Sequence, residues 1–580
     1  MSTGSRLGRA HWDPHPESSI GLPLADPDLT LGSSLRWSVE QYGTREAMVF
    51  EGRRWTYSEL FEEAEQCASA LIASGVIPGT HVGVLMGTRA EFVILTYGIA
   101  MAGGVSVLLS TFSGSDELDW VLRHSDAALL VVHGGVRGHR TAADLIDRHP
   151  ALVSSPAGEI DDPSFPMLRR VVVVPNADGE VPAGLESWPE FVAAGQAVPN
   201  SEVDSRIDAV NPTDPGMLLY TSGSTAEPKA VLHMHRAPVM QAFRMADAMA
   251  IGPADRTWTS FPAFWTAGWT TAVGGPFAVG ATTILQEFFD PAEALTLIER
   301  ERITSVRQMV HDEIRVVKAY EEDPRDLTSV TVGVVTESLK ALTSVAYEIS
   351  EICAWGMTET FTLATLLPFD APYELRRSTM GRVTLGNRIR IRDLDTGSEV
   401  AAGEVGEITV AGMSLMLGYY KADPYLPLDA AGFLKTNDSG YLTSDGYLVF
   451  TGRLDRLIKT AGANVSPIEV EEILQQWGRL GTCAVIGVPH PTLGAAIVLC
   501  AVRNPSAVSS ITENDVKSYL RSAMAGYKVP REVLFFEEEE MPLTLSSKVQ
   551  VADLRELAIM RLLSGDVDKE WRAHLEQIKD

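Results

Sequence analysis

Stretches with helical spacing and short strand-like runs alternate along the first part of the chain. Between Leu35 and about Val132, the helical stretch Tyr57 to Ser74 is followed by the apolar runs Val82 to Met86 and Ala127 to Val132. Short apolar runs bounded by turn residues suit strands covered on both faces, and their alternation with helices predicts an α/β fold. Phe92 to Leu109 is apolar over about one membrane span. Glu91 precedes it and Gly103-Gly104 interrupts it, so a buried helix followed by a buried strand is expected instead of a transmembrane helix. Pro150 to Gly184, rich in Pro, Asp, Ser and Gly around the strand-like Arg170 to Val174, predicts surface excursions.

A second α/β block follows the apolar run Met217 to Tyr220. From Gly381 to Tyr420 the pattern shifts to short alternating runs, Asn387 to Asp393 and Glu404 to Ala411, which predict antiparallel strands or a small barrel. After Asp455 come a helix at Pro467 to Gln476, a strand at Cys483 to Val488, a helix at Glu513 to Met524 and a strand near Glu532 to Phe536. The expected organisation is a tail over residues 1–29, a large domain over 30–455 and a small α+β domain over 456–580. The acidic run Glu537 to Glu540 reads as a solvated face.

At 580 residues and 45% hydrophobic composition the chain can bury several cores. Its net charge of −28 disfavours nucleic acid and anionic membranes, which a polyanion repels except at a local basic cleft. The four cysteines, Cys67, Cys353, Cys483 and Cys500, form no C-x-x-C pair, so neither a metal site nor a disulfide framework is suggested. A reducing cytoplasm fits them, and Met1 to Ser19 shows no apolar segment of a secretory signal.

The densest candidate chemistry is Thr221-Ser222-Gly223-Ser224-Thr225-Ala226-Glu227-Pro228-Lys229. Backbone N–H groups and hydroxyls of such a loop can hold phosphoryl oxygens while the lysine supplies a compact positive charge. It follows neither the P-loop order nor that of a dinucleotide fold. An ordinary Ser/Thr turn is the competing reading of these residues.

The loop resembles the signature of the AMP-forming, adenylate-forming superfamily: acyl-CoA synthetases, peptide-synthetase adenylation domains and firefly-type luciferases. Four further blocks follow in that superfamily's order. Ala354-Trp355-Gly356-Met357-Thr358-Glu359-Thr360 resembles its aromatic-Gly-x-Thr-Glu segment, Lys435 to Asp455 its ribose and hinge region, Ile458 to Glu471 its thioester-stage loop, and Pro542 to Lys548 its catalytic-lysine loop. Shorter matches are Phe50 to Tyr57, Gly403 to Ile408 and Met416 to Tyr420. The resemblance implies a large N-terminal domain of two α/β subdomains and a small β-barrel-like subdomain, then a small mobile α+β C-terminal domain. Ser466-Pro467 with Glu469 also reads as a helix start.

By the same resemblance, Thr221, Ser222, Gly223, Ser224, Thr225 and Lys229 would hold ATP phosphates, Trp355 and Gly356 would lie on adenine beside Glu337, and Thr358 would touch the α-phosphate. Glu359 with Thr225 would hold Mg²⁺, a cation that prefers carboxylate and phosphate oxygens. Asp438 and Arg453 would bind ribose, Asp455 would be the hinge, Lys459 and Gly462 would face coenzyme A, and Lys548 would bridge the carboxylate and the α-phosphate. Phe264, Trp265, Gly268 and Trp269 would wall an acyl pocket suited to an aromatic or polycyclic acid. Such an enzyme would make an acyl-adenylate from a carboxylic acid and ATP, then pass the acyl group to the coenzyme A thiol and release AMP. Homodimer formation stays open.

Departures from the pattern fall in the ATP half of the machinery. Val335-Thr336-Glu337-Ser338-Leu339 stands where the superfamily has a Gly-Gly-x-Pro-Leu adenine segment, Ala226 and Ser547 replace glycines, and Asn437 precedes Asp438 where glycine is usual. A glycine position that needs positive φ penalises a Cβ by about 1 kcal/mol. These departures keep two alternatives in view: a ligase that takes only preformed acyl-adenylate, and an adenylation enzyme that loads a carrier protein.

Overall fold

The computed structural model describes residues 28–136, 140–154, 158–176, 179–221, 228–333, 335–345, 353–368, 371–460, 463–504, 511–524, 526–543, 549–565 and 567–579. The chain falls into two compact units, residues up to Arg388 with Val410–Leu434, and Ile389–Thr409 with Lys435–Asp580.

The first unit is built on two largely parallel sheets. The larger runs Gly418–Tyr419, Lys229–Met234, Pro215–Thr221, Val105–Leu108, His81–Leu85, Leu129–His133, Arg170–Val174, Glu186–Ser187 in spatial order. Its strands pair in parallel except at the first two positions, where Gly418–Tyr419 and Pro215–Thr221 flank Lys229–Met234 antiparallel. The smaller runs Val332–Gly333, Ser305–Arg307, Arg256–Thr259, Thr282–Ile284, Glu46–Phe50, Arg53–Thr56, with only the final pair antiparallel.

Strand pleating explains the unbroken apolar runs. Leu129, Val131, Val172, Val174, Met217 and Leu219 join one buried cluster, while Leu130, Val132, Val171, Val173 and Leu218 join another. Both faces of the larger sheet are therefore covered, so no alternation with polar residues is needed. The run Phe92 to Leu109 resolves into the helix Ala90–Met101, a turn with Gly103 at φ +82°, and the buried strand Val105–Leu108. Among the described residues no helix is long and apolar enough to cross a membrane. The expected surface excursion is only partly external, since Phe165 and Leu168 are buried in the second cluster.

A four-stranded sheet, Asn387–Arg392, Gly406–Gly412, Leu434–Leu442 and Leu448–Arg453, follows in chain order. In the second unit a five-stranded sheet centres on the hairpin Leu480–His490 and Gly494–Arg503, with Glu532–Phe536 parallel to the latter. The helix Pro467–Trp477 begins as read from the sequence: the Ser466 hydroxyl accepts from the Glu469 amide at 3.4 Å and Pro467 needs no donor at that position. The run Glu537 to Glu540 is exposed, with Glu540 paired to Arg561 at 2.7 Å.

Candidate active site

In the first unit the candidate phosphate loop joins two antiparallel strands, and Thr221 pairs with Lys229 across its mouth. Lys229 is exposed, whereas the rest of its strand, Ala230 to Met234, is buried. Ser222, Gly223, Ser224 and Thr225 lie outside the described residues.

Lys229 is linked to the candidate magnesium carboxylate through a residue to which the sequence assigned no role. Gly418–Tyr419 adds as an edge strand beside Lys229–Met234, pairing Tyr419 with Val231. The Lys229 ammonium lies 5.3 Å from the centroid of the Tyr419 ring, and the Tyr419 hydroxyl donates to Glu359 Oε1 at 2.7 Å. The segment Met416 to Tyr420 was legible as a motif; that its tyrosine sits between lysine and glutamate depends on strand pairing distant in sequence. Glu359 is 8% exposed and, among the described residues, its Oε2 makes no hydrogen bond, so one oxygen is left for a cation. A carboxylate held through its other oxygen is the donor that Mg²⁺ prefers, and the residue present fits the ion.

The turn carrying Glu359 is strained and braced. Thr358–Thr360 form a short 3₁₀ turn, after which Phe361 and Thr362 adopt φ of +47° and +88°. Left-handed conformations cost non-glycine residues about 1–2 kcal/mol each. They fold the chain back so that a Cβ on Gly356 would lie 2.0 Å from the Thr362 carbonyl oxygen. Glycine is therefore required at 356 by close backbone approach. Three hydrogen bonds close the loop: Thr362 N–H to the Met357 carbonyl at 3.1 Å, and Ala364 and Thr365 N–H to the Trp355 carbonyl at 2.8 and 2.9 Å. Trp355 is 5% exposed.

Two buried polar side chains hold this turn from outside. Gln241, on the helix Arg236–Ala248, donates through Nε2 to the Thr360 and Leu363 carbonyls at 2.7 and 2.5 Å. His233 Nε2 lies 2.7 Å from the Thr358 carbonyl. A carbonyl only accepts, so Nε2 carries the proton, and among the described residues His233 Nδ1 is buried without a partner. Burial pushes His233 down to about 4, opposed by the bond to Thr358, and burial likewise pushes His235 down to about 4. Both imidazoles are neutral at pH 7.

The candidate acyl segment meets the same turn. Trp269 is 1% exposed and packs edge-on against Phe361 at 5.9 Å, and Phe361 also meets the His233 ring at 5.0 Å. Phe264 is buried and Trp265 half-buried; both contact Phe112, at 5.6 and 5.8 Å. A Cβ on Gly268 would lie 1.7 Å from the Pro262 carbonyl oxygen, so this glycine lets the helix Thr266–Trp269 seat against its own leading loop. The helix then widens into a π turn over Thr270–Gly274, an irregularity often found near functional sites. In the candidate adenine segment Val335 is core, and Thr336 gives its amide (2.8 Å) and its hydroxyl to the buried carboxylate of Glu313. Glu337 begins the helix Glu337–Lys340.

In the second unit Asp438 and Arg453 are cross-strand neighbours, with Arg453 Nε 3.3 Å from Asp438 Oδ1. Asn437 has φ +62°, where the superfamily's glycine would be, and asparagine tolerates that region better than other side chains. That departure is thereby accommodated. Asp455 lies in the 3₁₀ turn Leu454–Arg456, and Lys459 is exposed on the strand Ile458–Thr460. Gly462, Ala226, Ser547 and Lys548 lie outside the described residues.

Comparison with known proteins gives the same assignment. Residues 35–420 match the family described as AMP-binding enzyme, and residues 469–548 its C-terminal domain. A putative acyl-CoA synthetase, YngI, of Bacillus subtilis is 28% identical over 91% of this chain and 97% of its own length. The 3-[(3aS,4S,7aS)-7a-methyl-1,5-dioxo-octahydro-1H-inden-4-yl]propanoyl:CoA ligase of Mycobacterium tuberculosis is 30% identical over 91% of this chain and 99% of its own. Among solved structures, the anthranilate CoA ligase AuaEII in complex with anthranoyl-AMP superposes with a TM-score of 0.75 at 25% identity, covering 93% of this chain and 98% of that one. The fold and the order of motifs agree with these matches: the chain belongs to the AMP-binding enzyme family and is an AMP-forming acid–thiol ligase.

Proposed function

We propose that this protein activates a bulky, aromatic or polycyclic carboxylic acid as its acyl-adenylate with ATP, then transfers the acyl group to the thiol of coenzyme A and releases AMP. The observation that carries this reading is the Lys229–Tyr419–Glu359 arrangement beside a turn packed on Trp269. A cation, an oriented carboxylate and a buried aromatic ring linked through this turn support the reading. The names of the Mycobacterium tuberculosis and AuaEII relatives, which specify a bicyclic and an aromatic acid, support the choice of acid.

A carboxylate cannot acylate a thiol directly, because oxide would have to leave. Its oxygen attacks the α-phosphorus of ATP, the bond to pyrophosphate breaks, and the acyl carbon then carries AMP as leaving group. This step needs neutralised phosphates and an aligned nucleophile more than covalent help from the protein. Lys229, Thr221 to Thr225 and Lys548 would supply positive charge and donors, and Glu359, fixed by Tyr419, would hold Mg²⁺, which supplies charge neutralisation at the phosphates. Thr358 would meet the α-phosphate, Trp355 and Glu337 the adenine side, and Asp438 with Arg453 the ribose. In the second step the thiol sulfur attacks the acyl carbon, AMP departs and the thiol proton passes to solvent. We assign Asp455 as the hinge between a domain over 30–455 and one over 456–580, and Lys459 and Gly462 to coenzyme A.

The test is acyl-CoA formation, followed by mass spectrometry, from a panel of aromatic, polycyclic and fatty acids. Each is offered as free acid with ATP and Mg²⁺ and as synthetic acyl-adenylate, with wild type and Lys548→Ala. Wild type converts both forms, and Lys548→Ala loses the free acid while keeping the adenylate. Conversion of the adenylate alone by wild type would replace this reading with that of a non-adenylating ligase.

A further inference from the structure

The strand Ser305–Arg307 lies between Arg256–Thr259 and Val332–Gly333 in the smaller parallel sheet. Its register pairs Thr257 with Ser305, Trp258 with Val306 and Thr259 with Arg307. Trp258 and Val306 enter an apolar cluster with Ile284, Leu295 and Ile298 on one face. Pleating puts Thr257, Thr259, Ser305 and Arg307 on the other. Thr283, which pairs with Thr257, shares that face, and its hydroxyl donates to the Ala272 carbonyl at 2.6 Å. The polar face of the sheet is thus turned toward the π segment that continues from Trp269.

Arg307 is 1% exposed, its Nε and Nη2 make no hydrogen bond, and among the described residues it forms no ion pair. Burial pushes its guanidinium down to about 9, which still leaves it charged at pH 7. Asp255, the carboxylate that acts on it electrostatically, is engaged elsewhere: Oδ1 accepts from the Thr304 hydroxyl and Oδ2 from the Gly252 amide, both at 2.8 Å. On the same face, and among the described residues, Ser305 Oγ is also buried without a partner. A buried, uncompensated cation is costly to a fold, and two side chains on one face with unused donors describe a place for an anion that the chain itself does not provide.

Arg307 ends its strand, and in parallel α/β sheets ligands lie beyond the carboxyl ends of strands. The strand on one side leads into Phe261 to Trp269, the acyl segment, and the strand on the other into Val335 to Leu339, the adenine segment. The phosphate-side residues Thr221 and Lys229 belong to the other sheet. Resting on the acyl-site reading above, we infer that Arg307, with Ser305, receives a second carboxylate of the acid substrate, so that the acid is a dicarboxylate whose ring system spans from the reacting carboxyl to this guanidinium.

The experiment compares a cyclic dicarboxylic acid with its monomethyl ester at the distal carboxyl, offered to wild type, Arg307→Met and Arg307→Lys. One readout is the ratio of kcat/KM for acyl-CoA formation, and the other is the rise in Tm that each acid produces. Wild type favours the diacid, and Arg307→Met lowers the diacid-to-ester ratio on the order of 100-fold, the scale of losing one partner of a buried charge pair. Arg307→Lys retains part of the preference. Without ligand, Arg307→Met melts a few degrees higher than wild type, because an apolar chain of similar volume replaces an unpaired charge, and the diacid no longer raises its Tm. A ratio that is the same in wild type and both variants overturns the inference, as does a ligand-free Arg307→Met that melts lower. If neither acid is turned over in any form, the ligase reading fails, and the thermal shift still decides: a diacid shift that requires Arg307 supports the anion site, and its absence overturns it.

Discussion

Acidification dislodges the glutamate turn through His233. In the unfolded chain this imidazole titrates near 6.5, whereas in the fold burial holds it down to about 4. Between those values the unfolded state binds a proton that the folded state refuses, so stability is complete above pH 6.5 and falls as pH drops toward 4. The slope is about 1.4 kcal/mol per pH unit for each such group, or on the order of 3 kcal/mol in all. His235, fully buried and likewise held at about 4, adds a similar amount. At pH 5 the pair together costs roughly 4 kcal/mol, a large share of the 5–15 kcal/mol typical of a native domain. His233→Gln isolates the first term, because a glutamine amide can donate to the Thr358 carbonyl but does not titrate. Urea denaturation of both proteins at half-unit steps from pH 7.5 to 5 reads the difference. Wild type loses stability faster than His233→Gln by about 1.4 kcal/mol per pH unit below 6.5. ATP-dependent adenylation declines reversibly over the same window. Parallel slopes for the two proteins would refute the argument that a neutral His233 supports the turn.

Tyr419→Phe removes the charge-assisted bond to Glu359, worth roughly 1.5–3 kcal/mol, so pyrophosphate release should fall about 10- to 100-fold and require more Mg²⁺, while thioester formation from supplied adenylate changes less; equal losses in both steps would separate Tyr419 from cation binding. Gly356→Ala drives a Cβ into the Thr362 carbonyl oxygen at 2.0 Å, and soluble expression with circular dichroism and activity should show a misfolded or inactive protein; near-wild-type activity would contradict the turn geometry. Asn437→Gly is expected to be neutral or slightly stabilising and Asn437→Val to lose about 1–2 kcal/mol, since φ there is +62°; urea midpoints check both.

Most of the fold and the order of the motifs were legible from local pattern. Continuous apolar runs such as Leu129 to His133 announce strands covered on both faces because pleating sends successive residues to opposite sides. Ser466-Pro467 with Glu469 announces a helix start because the cap is a contact three residues long. Trp355, Glu359, Asp438 and Arg453 could be named because each sits in a short motif with fixed spacing. Tertiary structure decided how such residues are used. Tyr419 reaches Glu359 only because a two-residue strand pairs with Lys229–Met234, a contact across some two hundred residues that no local period encodes. The tolerance of Asn437 depends on its backbone dihedral, and the need for Gly356 on a carbonyl brought back by two left-handed residues. Sequence alone makes Arg307 one charged residue in a short Ser-Val-Arg run; only the sheet register and the burial around it leave that charge without a partner among the described residues. Local spacing determines which elements form, because propensity, pleating and caps act over a few residues. Which polar groups are satisfied and which are left to bind a ligand is settled only when distant segments pack, because desolvation depends on everything that surrounds a group at once.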